Sequence, residues 1–88
     1  MSVRVEFLGM PRRYADCDSV NVNAETLGET LMTVATQLPK VAEHCIDGHQ
    51  MRPGYLAAIN CRVFTVDPTQ RLADGDTVQI LSSDVGGH

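Results

Sequence analysis

The sequence predicts an α+β domain in which one main helix covers a single mixed sheet of four to five strands. The prediction rests on alternating apolar residues near the N-terminus, one amphipathic helical stripe, and renewed alternation in the second half. The chain has 88 residues, of which 43% are hydrophobic and 20% are charged. A chain of this size buries one small core, so two domains are excluded. One helix packed on one sheet buries both apolar surfaces.

The first two strands are predicted from alternation. Val3, Val5 and Phe7 share one face of residues 3–8, while the positions between them carry charge. Alternation returns at residues 19–23, where valine alternates with polar residues. The two segments are close enough in sequence to pair as an antiparallel hairpin with a longer loop.

The main helix is predicted to begin at Thr26. Thr26 and Glu29 form a capping box, in which each side chain satisfies a backbone N–H of the first turn. The apolar residues that follow have helical spacing and form one stripe suited to packing on a sheet, namely Leu27, Leu31, Val34, Ala35 and Leu38. Pro39 ends the stripe, because proline lacks the N–H that a helix interior needs.

Residues 40–54 remain open between a short second helix and a loop, since their apolar residues are interrupted by Gly- and Pro-containing turn signals. The segment also contains His44, Cys45 and His49, which could offer ligands to a metal if the segment is helical. The residue types favour the alternative, in which Cys45 packs inward as a small apolar residue and both histidines face water.

Three further strands are predicted in the second half. Residues 55–59 and 63–66 are rich in strand-forming residues and are separated by Asn60, which tolerates the left-handed conformation of a tight turn. An Asp-Gly-Asp turn then leads into the last strand at residues 77–81. These segments complete the predicted sheet.

The end of the chain is predicted to be a flexible tail. The globular domain is assigned to residues 1–81 and the tail to residues 82–88, which are mostly polar and contain Gly86 and Gly87. Glycine has no Cβ, so two in succession allow an extended backbone to pass through a channel too narrow for any side chain.

Charge, cysteine and hydropathy patterns exclude several functional classes. The net charge is −4, and the seven scattered Lys and Arg residues form no basic stripe for nucleic acid. Cys17, Cys45 and Cys61 are odd in number and lack CxxC spacing, so we expect reduced thiols. The apolar runs are far shorter than the roughly 20 residues that span a bilayer, and no signal-peptide pattern opens the chain. We expect a cytoplasmic protein that binds neither nucleic acid nor membrane.

Four features together resemble the ThiS/MoaD family of ubiquitin-like sulfur carriers. They are the N-terminal hairpin, the Thr26-Leu27-Gly28-Glu29 helix start, the Leu72-Ala73-Asp74-Gly75-Asp76-Thr77-Val78 run before the last strand, and the Gly86-Gly87 end. The resemblance covers nearly the whole chain. It implies a β-grasp fold and a terminal glycine, Gly87, whose carboxylate is the working group.

The resemblance also implies partners. In this family an E1-like enzyme adenylates the terminal glycine with ATP and Mg, and sulfur then displaces AMP to leave a thiocarboxylate. A sulfur-accepting synthase uses it to make a sulfur-containing metabolite, such as cysteine or methionine, thiamin, molybdopterin or a siderophore. The carrier would bind no cofactor or metal and would not be an enzyme, which agrees with the lack of any Walker, GxSxG or HExxH motif in the sequence.

His88 departs from the family pattern, in which the second glycine is the last residue. An amide between Gly87 and His88 cannot be adenylated. The resemblance therefore implies that a JAMM-type metalloprotease removes His88, unless that histidine is the remnant of a purification tag.

The alternative is a non-catalytic ubiquitin-like interaction or modifier module. Such a role needs an exposed apolar patch or a tail joined to lysines. Val78, Ile80 and Leu81 of the last strand are the candidate surface residues. The sequence leaves open which of them point outward and which belong to the core.

Overall fold

The computed structural model describes residues 1–83. The elements follow one another as β1 (Ser2–Phe7), α1 (Met10–Ala15), β2 (Ser19–Asn23), α2 (Leu27–Gln37), α3 (Pro39–Cys45), β3 (Ile46–Asp47), β4 (Gln50–Met51), β5 (Tyr55–Ile59), β6 (Val63–Thr65) and β7 (Thr77–Ser82).

Five of these strands form one mixed sheet in the order β2-β1-β7-β5-β6. β1 and β7 are parallel, with Val5 beside Val78 and Phe7 beside Ile80, while the other neighbouring strands are antiparallel. β3 and β4 form a separate two-stranded ladder. The predicted hairpins of β1 with β2 and of β5 with β6 are confirmed, and the last strand lies at the centre of the sheet.

The helices pack on one face of the sheet and bury the alternate residues of its strands. α2 presents Leu27, Leu31 and Val34 to the core, and none of the three has exposed surface. Burying one such leucine contributes roughly 2 kcal/mol relative to leaving it exposed. α3 packs against both α1 and α2. A mixed sheet covered by one main helix, α2, confirms the predicted fold class.

The start of α2 is held by its own caps and by the loop that follows β6. The Glu29 N–H donates to Thr26 Oγ1 at 3.2 Å, as the capping box predicts. The Glu29 carboxylate accepts from the N–H of Glu25, one residue before the cap, at 2.8 Å. The Gly28 N–H donates to the Pro68 carbonyl at 2.9 Å. The first turn of the helix is therefore joined to a loop distant in sequence.

The structure differs from the sequence prediction in the connections. α1 is absent from the prediction, because its two buried residues, Pro11 and Ala15, are too few for a periodic pattern. Pro11 fits the first helical turn, where no N–H is required. The segment left open at residues 40–54 contributes to α3 and then forms the β3–β4 ladder. No helix within residues 1–83 has the length and apolar character needed to cross a membrane.

Candidate docking face and the end of β7

The site residues predicted from the sequence, Gly86, Gly87 and His88, lie outside the described residues. The structure describes the chain that leads to them. β7 extends to Ser82, one residue past the predicted domain boundary, because Ser82 pairs with Tyr55 at the start of β5.

Gly54 anchors this end of the described chain. The Ser83 N–H donates to the Gly54 carbonyl at 2.8 Å, and the Ser82 hydroxyl donates to the same oxygen at 3.4 Å. Gly54 has a φ of +94°, a conformation that favours glycine. The first two residues of the predicted tail are thus held by the loop before β5.

The central position of β7 holds the end of the described chain in place. β7 pairs with β1 on one side and with β5 on the other. A strand bonded on both sides is among the least mobile parts of a small domain. The residues that follow Ser83 therefore start from a fixed point in the middle of the sheet.

Alternate residues of β7 point to opposite faces of the sheet. This alternation decides which of the three candidate residues lie on the surface. Val78 and Ile80 have no exposed surface and belong to the core. Gln79 and Leu81 point to the face opposite the helices, which we call the open face. Of the three candidates from the sequence, only Leu81 lies on this face.

The open face carries an apolar patch towards the C-terminal end of β7. Leu81 lies beside Leu56 of β5, and Ala58 lies beside Phe64 of β6. Leu8 follows β1 and completes the patch, with 45% of its surface exposed, while Phe64 is 65% exposed. We call Leu8, Leu56, Ala58, Phe64 and Leu81 the apolar patch. Exposed apolar surface of this kind is typical of a protein contact.

The patch contains two shallow depressions. One of about 190 Å³ is lined in part by Leu8, Phe64 and Leu81, and one of about 240 Å³ is lined in part by Leu56 and Phe64. Pockets for cofactors or drug-sized ligands usually have about 300–1,000 Å³. Depressions this small suit side chains of another protein. A larger depression of about 560 Å³ lies around α1, but charged side chains line it, and Arg12 and Asp18 form an ion pair there at 2.7 Å.

A polar network fixes the turn beside the patch. Gln79 is only 8% exposed; its Oε1 accepts from the Cys61 N–H at 3.2 Å. Its amide nitrogen donates to Cys61 Sγ and to Glu6 Oε1. Both ends of this buried amide are thereby satisfied, which avoids the cost of an unpaired polar group. The network holds the β5–β6 turn on the sheet.

No protein-family model and no curated protein matches the sequence. Solved structures do match over nearly all of the chain. SAMP1 from Haloferax volcanii superposes with a TM-score of 0.81 at 16% identity, covering 99% of this chain and 100% of that chain. A chain of the Amycolatopsis orientalis BexX/CysO complex gives 0.78 at 19% identity, covering 97% and 99%. A putative molybdopterin converting factor, subunit 1, from Pyrococcus furiosus gives 0.74 at 18% identity, covering 93% and 97%.

The chain has the β-grasp, ubiquitin-like fold. Identities this low establish the fold alone. The β-grasp arrangement is the one that the ThiS/MoaD resemblance implied, with the last strand in the middle of the sheet.

The Asp-Gly-Asp turn of this β-grasp domain has a structural role. Asp76 Oδ2 accepts from the Ala73 N–H at 2.8 Å, and Oδ1 accepts from Asn60 Nδ2 at 3.0 Å. Both hydrogen bonds lower the pKa of Asp76, and the one from Ala73 has the larger effect. Asp74 Oδ1 accepts from the Ser2 N–H at 2.7 Å. The turn lies before β7, at the end of the strand opposite Ser83.

The histidine and cysteine residues of α3 and β3–β4 are not brought together as a metal site. Cys45 is fully buried, and burial is the main reason that its pKa rises to about 11. His44 stacks on Tyr14 with 3.9 Å between ring centroids, and His49 is exposed. Within residues 1–83 no group of three or more potential ligands occurs. The interpretation in which Cys45 packs inward and both histidines are exposed is confirmed.

Proposed function

We propose that this protein is a sulfur carrier that works through Gly87. The supporting observation is the path of β7, the central strand of a β-grasp sheet, which leads to Gly86-Gly87 from a fixed point at Ser83. The apolar patch lies at the same end of the sheet. A partner that docks on the patch would have the glycine segment within reach of its active site.

The chemistry requires a partner enzyme. An α-carboxylate titrates near pH 3.5, so at neutral pH it is an anion and a poor electrophile. An E1-like enzyme with ATP and Mg would join the Gly87 carboxylate to the α-phosphorus of ATP and release pyrophosphate. A sulfur nucleophile would then attack the acyl carbon and release AMP, leaving a thiocarboxylate. The carrier contributes the tail and the docking face, and the partner contributes the catalytic groups.

Gly87 must be terminal before it can be adenylated. Its carboxyl carbon is joined to His88 by an amide in the present sequence. We propose that a JAMM-type metalloprotease hydrolyses this bond. The loaded thiocarboxylate then donates sulfur to a synthase that makes a sulfur-containing metabolite of the cysteine or methionine, thiamin, molybdopterin or siderophore class. The solved BexX/CysO complex supports a role in which a chain of this fold works as one member of a complex.

Intact-mass measurement tests the proposal. The protein is incubated with the protease, and then with the E1-like enzyme, ATP, Mg and sulfide. We expect loss of one histidine residue followed by exchange of one oxygen for sulfur. Gly87→Ala is the matched variant, which should fold normally but fail to load, because its methyl group does not pass through a channel shaped for glycine. An unmodified mass in every condition, or normal loading of Gly87→Ala, would contradict the proposal.

The second candidate function is that of a ubiquitin-like modifier. It is favoured by the fold shared with SAMP1, which is described as a small archaeal modifier protein, and by the exposed Phe64 and Leu8 of the apolar patch. A modifier would give a ladder of lysine conjugates when the tagged protein is expressed. A thiocarboxylate without conjugates would support the carrier function and exclude the modifier function.

A further inference from the structure

The loop before β5 has the residue pattern of a type II turn. Pro53 and Gly54 take its two central positions, and the N–H of Tyr55 donates to the Arg52 carbonyl across the turn at 3.2 Å. A type II turn favours proline at the first central position and requires a positive φ at the second. Gly54 has a φ of +94°, which glycine adopts without steric cost. The Pro-Gly sequence therefore determines the shape of this loop.

The same turn is held at both of its ends. The Arg52 N–H donates to the carbonyl of Cys45, the last residue of α3, at 2.8 Å, and its side-chain Nε donates to the Ala42 carbonyl at 3.5 Å. Tyr55 begins β5, which pairs with both β6 and β7. The Gly54 carbonyl lies between these two attachments, so it has little freedom to move.

The Gly54 carbonyl holds the chain one residue past the end of β7. Ser82, the last residue of the strand, pairs with Tyr55. Ser83 lies beyond this ladder and is exposed, yet its N–H donates to the Gly54 carbonyl at 2.8 Å. Gly87 follows four residues later, and four residues span at most about 14 Å. The Gly54 carbonyl therefore limits where Gly87 can lie relative to the domain.

We propose that the Gly54 carbonyl positions the tail for loading, because it fixes Ser83 and leaves only the residues from Asp84 onward to be placed by the activating enzyme. The inference rests on the sulfur-carrier function proposed above. Ordering a backbone residue costs conformational entropy, and a reacting group that is held near its place in advance loses less of it on binding. Ser83 is therefore a positioning residue, which acts through its backbone N–H and takes no part in the chemistry at Gly87.

Removal of the Ser83 N–H tests this role. Ser83→Pro deletes the donor, and the residue before a proline favours the extended backbone that Ser82 already has in β7. After processing to Gly87, each protein is loaded by the E1-like enzyme with ATP, Mg and sulfide. We expect kcat to fall roughly 5-fold or more, since one further residue must be ordered, and KM to stay nearly unchanged, since the apolar patch is intact. Ser83→Ala keeps the N–H and should restore the wild-type kcat.

Two further measurements separate the anchor from other effects of proline. Asp84→Pro is the matched control, because it also adds a proline to the tail but keeps the Ser83 N–H, and its kcat should remain close to that of wild type. Amide hydrogen exchange needs no enzyme. The Ser83 N–H of wild type should exchange more slowly than that of an unstructured peptide of the same sequence.

The outcomes distinguish this role from the carrier function. Equal kcat values for Ser83→Pro and Ser83→Ala, an equal loss in Asp84→Pro, or an unprotected Ser83 N–H would overturn the positioning role and leave the carrier function standing. A rise in KM with kcat unchanged in Ser83→Pro would also overturn it, because Ser83 would then act in docking. A wild-type protein that is never loaded would overturn the carrier function and this role with it.

Discussion

The side chain of Asn60 donates a hydrogen bond to Asp76, with 3.0 Å between Nδ2 and Oδ1. The same amide accepts from the Thr77 N–H at 2.9 Å. Asn60 lies in the β5–β6 turn, where its φ of +53° is one that asparagine tolerates. The pair therefore joins this turn to the start of the central strand β7 and helps to fix the sheet in which β7 lies.

Loss of the Asp76 carboxylate should destabilise the domain without affecting its fold. Asp76→Ala removes the acceptor of both the Asn60 and the Ala73 hydrogen bonds. Hydrogen bonds to charged groups contribute about 1.5–3 kcal/mol, and partial exposure of Asp76 favours the lower end. We expect the free energy of unfolding in urea to fall by about 1–2 kcal/mol. Asp47→Ala, the same change at an exposed site, should alter it by less than about 0.5 kcal/mol.

Acid should weaken the domain in a manner that depends on Asp76. Hydrogen bonds, first from Ala73 and then from Asn60, hold the pKa of Asp76 below its ordinary value. A carboxyl whose pKa is lower in the folded state stabilises it above the unfolded pKa, and this contribution is lost as the pH falls through the folded value. The urea midpoint should therefore decline from about pH 4 downward. In Asp76→Ala the decline should be shallower; an identical slope in both proteins would exclude Asp76 as a cause.

Gly28 should not tolerate alanine, although it lies in a helix. A Cβ at this position would lie 3.1 Å from the Pro68 carbonyl oxygen and 3.2 Å from Pro68 Cβ. That carbonyl accepts a hydrogen bond from the Gly28 N–H itself. It therefore cannot move away from the new methyl group without weakening this hydrogen bond. Helix propensity alone would favour alanine by up to about 1 kcal/mol.

We expect Gly28→Ala to lower the free energy of unfolding by about 1 kcal/mol, because overpacking outweighs propensity. Thermal unfolding measures the change. Thr36→Ala, at an exposed position of the same helix, should instead be neutral or slightly stabilising. If the Gly28→Ala protein were as stable as the Thr36→Ala protein, the loop at Pro68 would move to accommodate the added methyl group without loss of stability.

The three cysteines should react with a thiol reagent in the order of their exposure. Cys61 is exposed, Cys17 is intermediate and Cys45 is buried. Burial raises the pKa of Cys45 to about 11, so at pH 8 it remains a protonated thiol, which is a poor nucleophile. Alkylation followed by peptide mapping should label Cys61 first and Cys45 only when the protein is unfolded. Labelling of Cys45 at the rate of Cys61 in the folded protein would be inconsistent with the buried position.

Local signals in the sequence predict much of this fold, but they do not predict which distant segments pair with one another. The capping box at Thr26 and Glu29 and the shared face of Val78 and Ile80 follow from spacing alone, because a helix or strand fixes which residues share a face. Spacing leaves open which face of β7 is buried. The outward direction of Leu81 depends on its pairing with Leu56, which is distant in sequence. A single sequence gives no register for such a pair.

The same reasoning applies to the Asn60 and Asp76 pair and to the short helix α1. Asp76 belongs to a common turn motif, and its partner at Asn60 belongs to another turn, so neither signals the other. α1 has only Pro11 and Ala15 as buried residues, which gives no helical period. The role proposed for the glycine segment rests on residue type and on the family resemblance; the segment lies outside the described residues, so this role stays a prediction.

If the protein is a sulfur carrier as proposed, Phe64 should be the main contact of the apolar patch with the activating enzyme. Phe64→Ala removes the most exposed aromatic side chain of the open face, which is 65% exposed and therefore contributes little to folding. Large apolar anchors at protein contacts contribute about 2 kcal/mol or more. We expect KM for loading by the E1-like enzyme to rise by roughly 10-fold or more with kcat nearly unchanged, because the chemistry at Gly87 is untouched.

Met32→Ala is the matched control, since Met32 is 55% exposed but belongs to α2, in the helical layer away from the patch. Equal KM values for the two variants would show that the enzyme docks elsewhere, whereas a fall in kcat alone would assign Phe64 to a later step than docking.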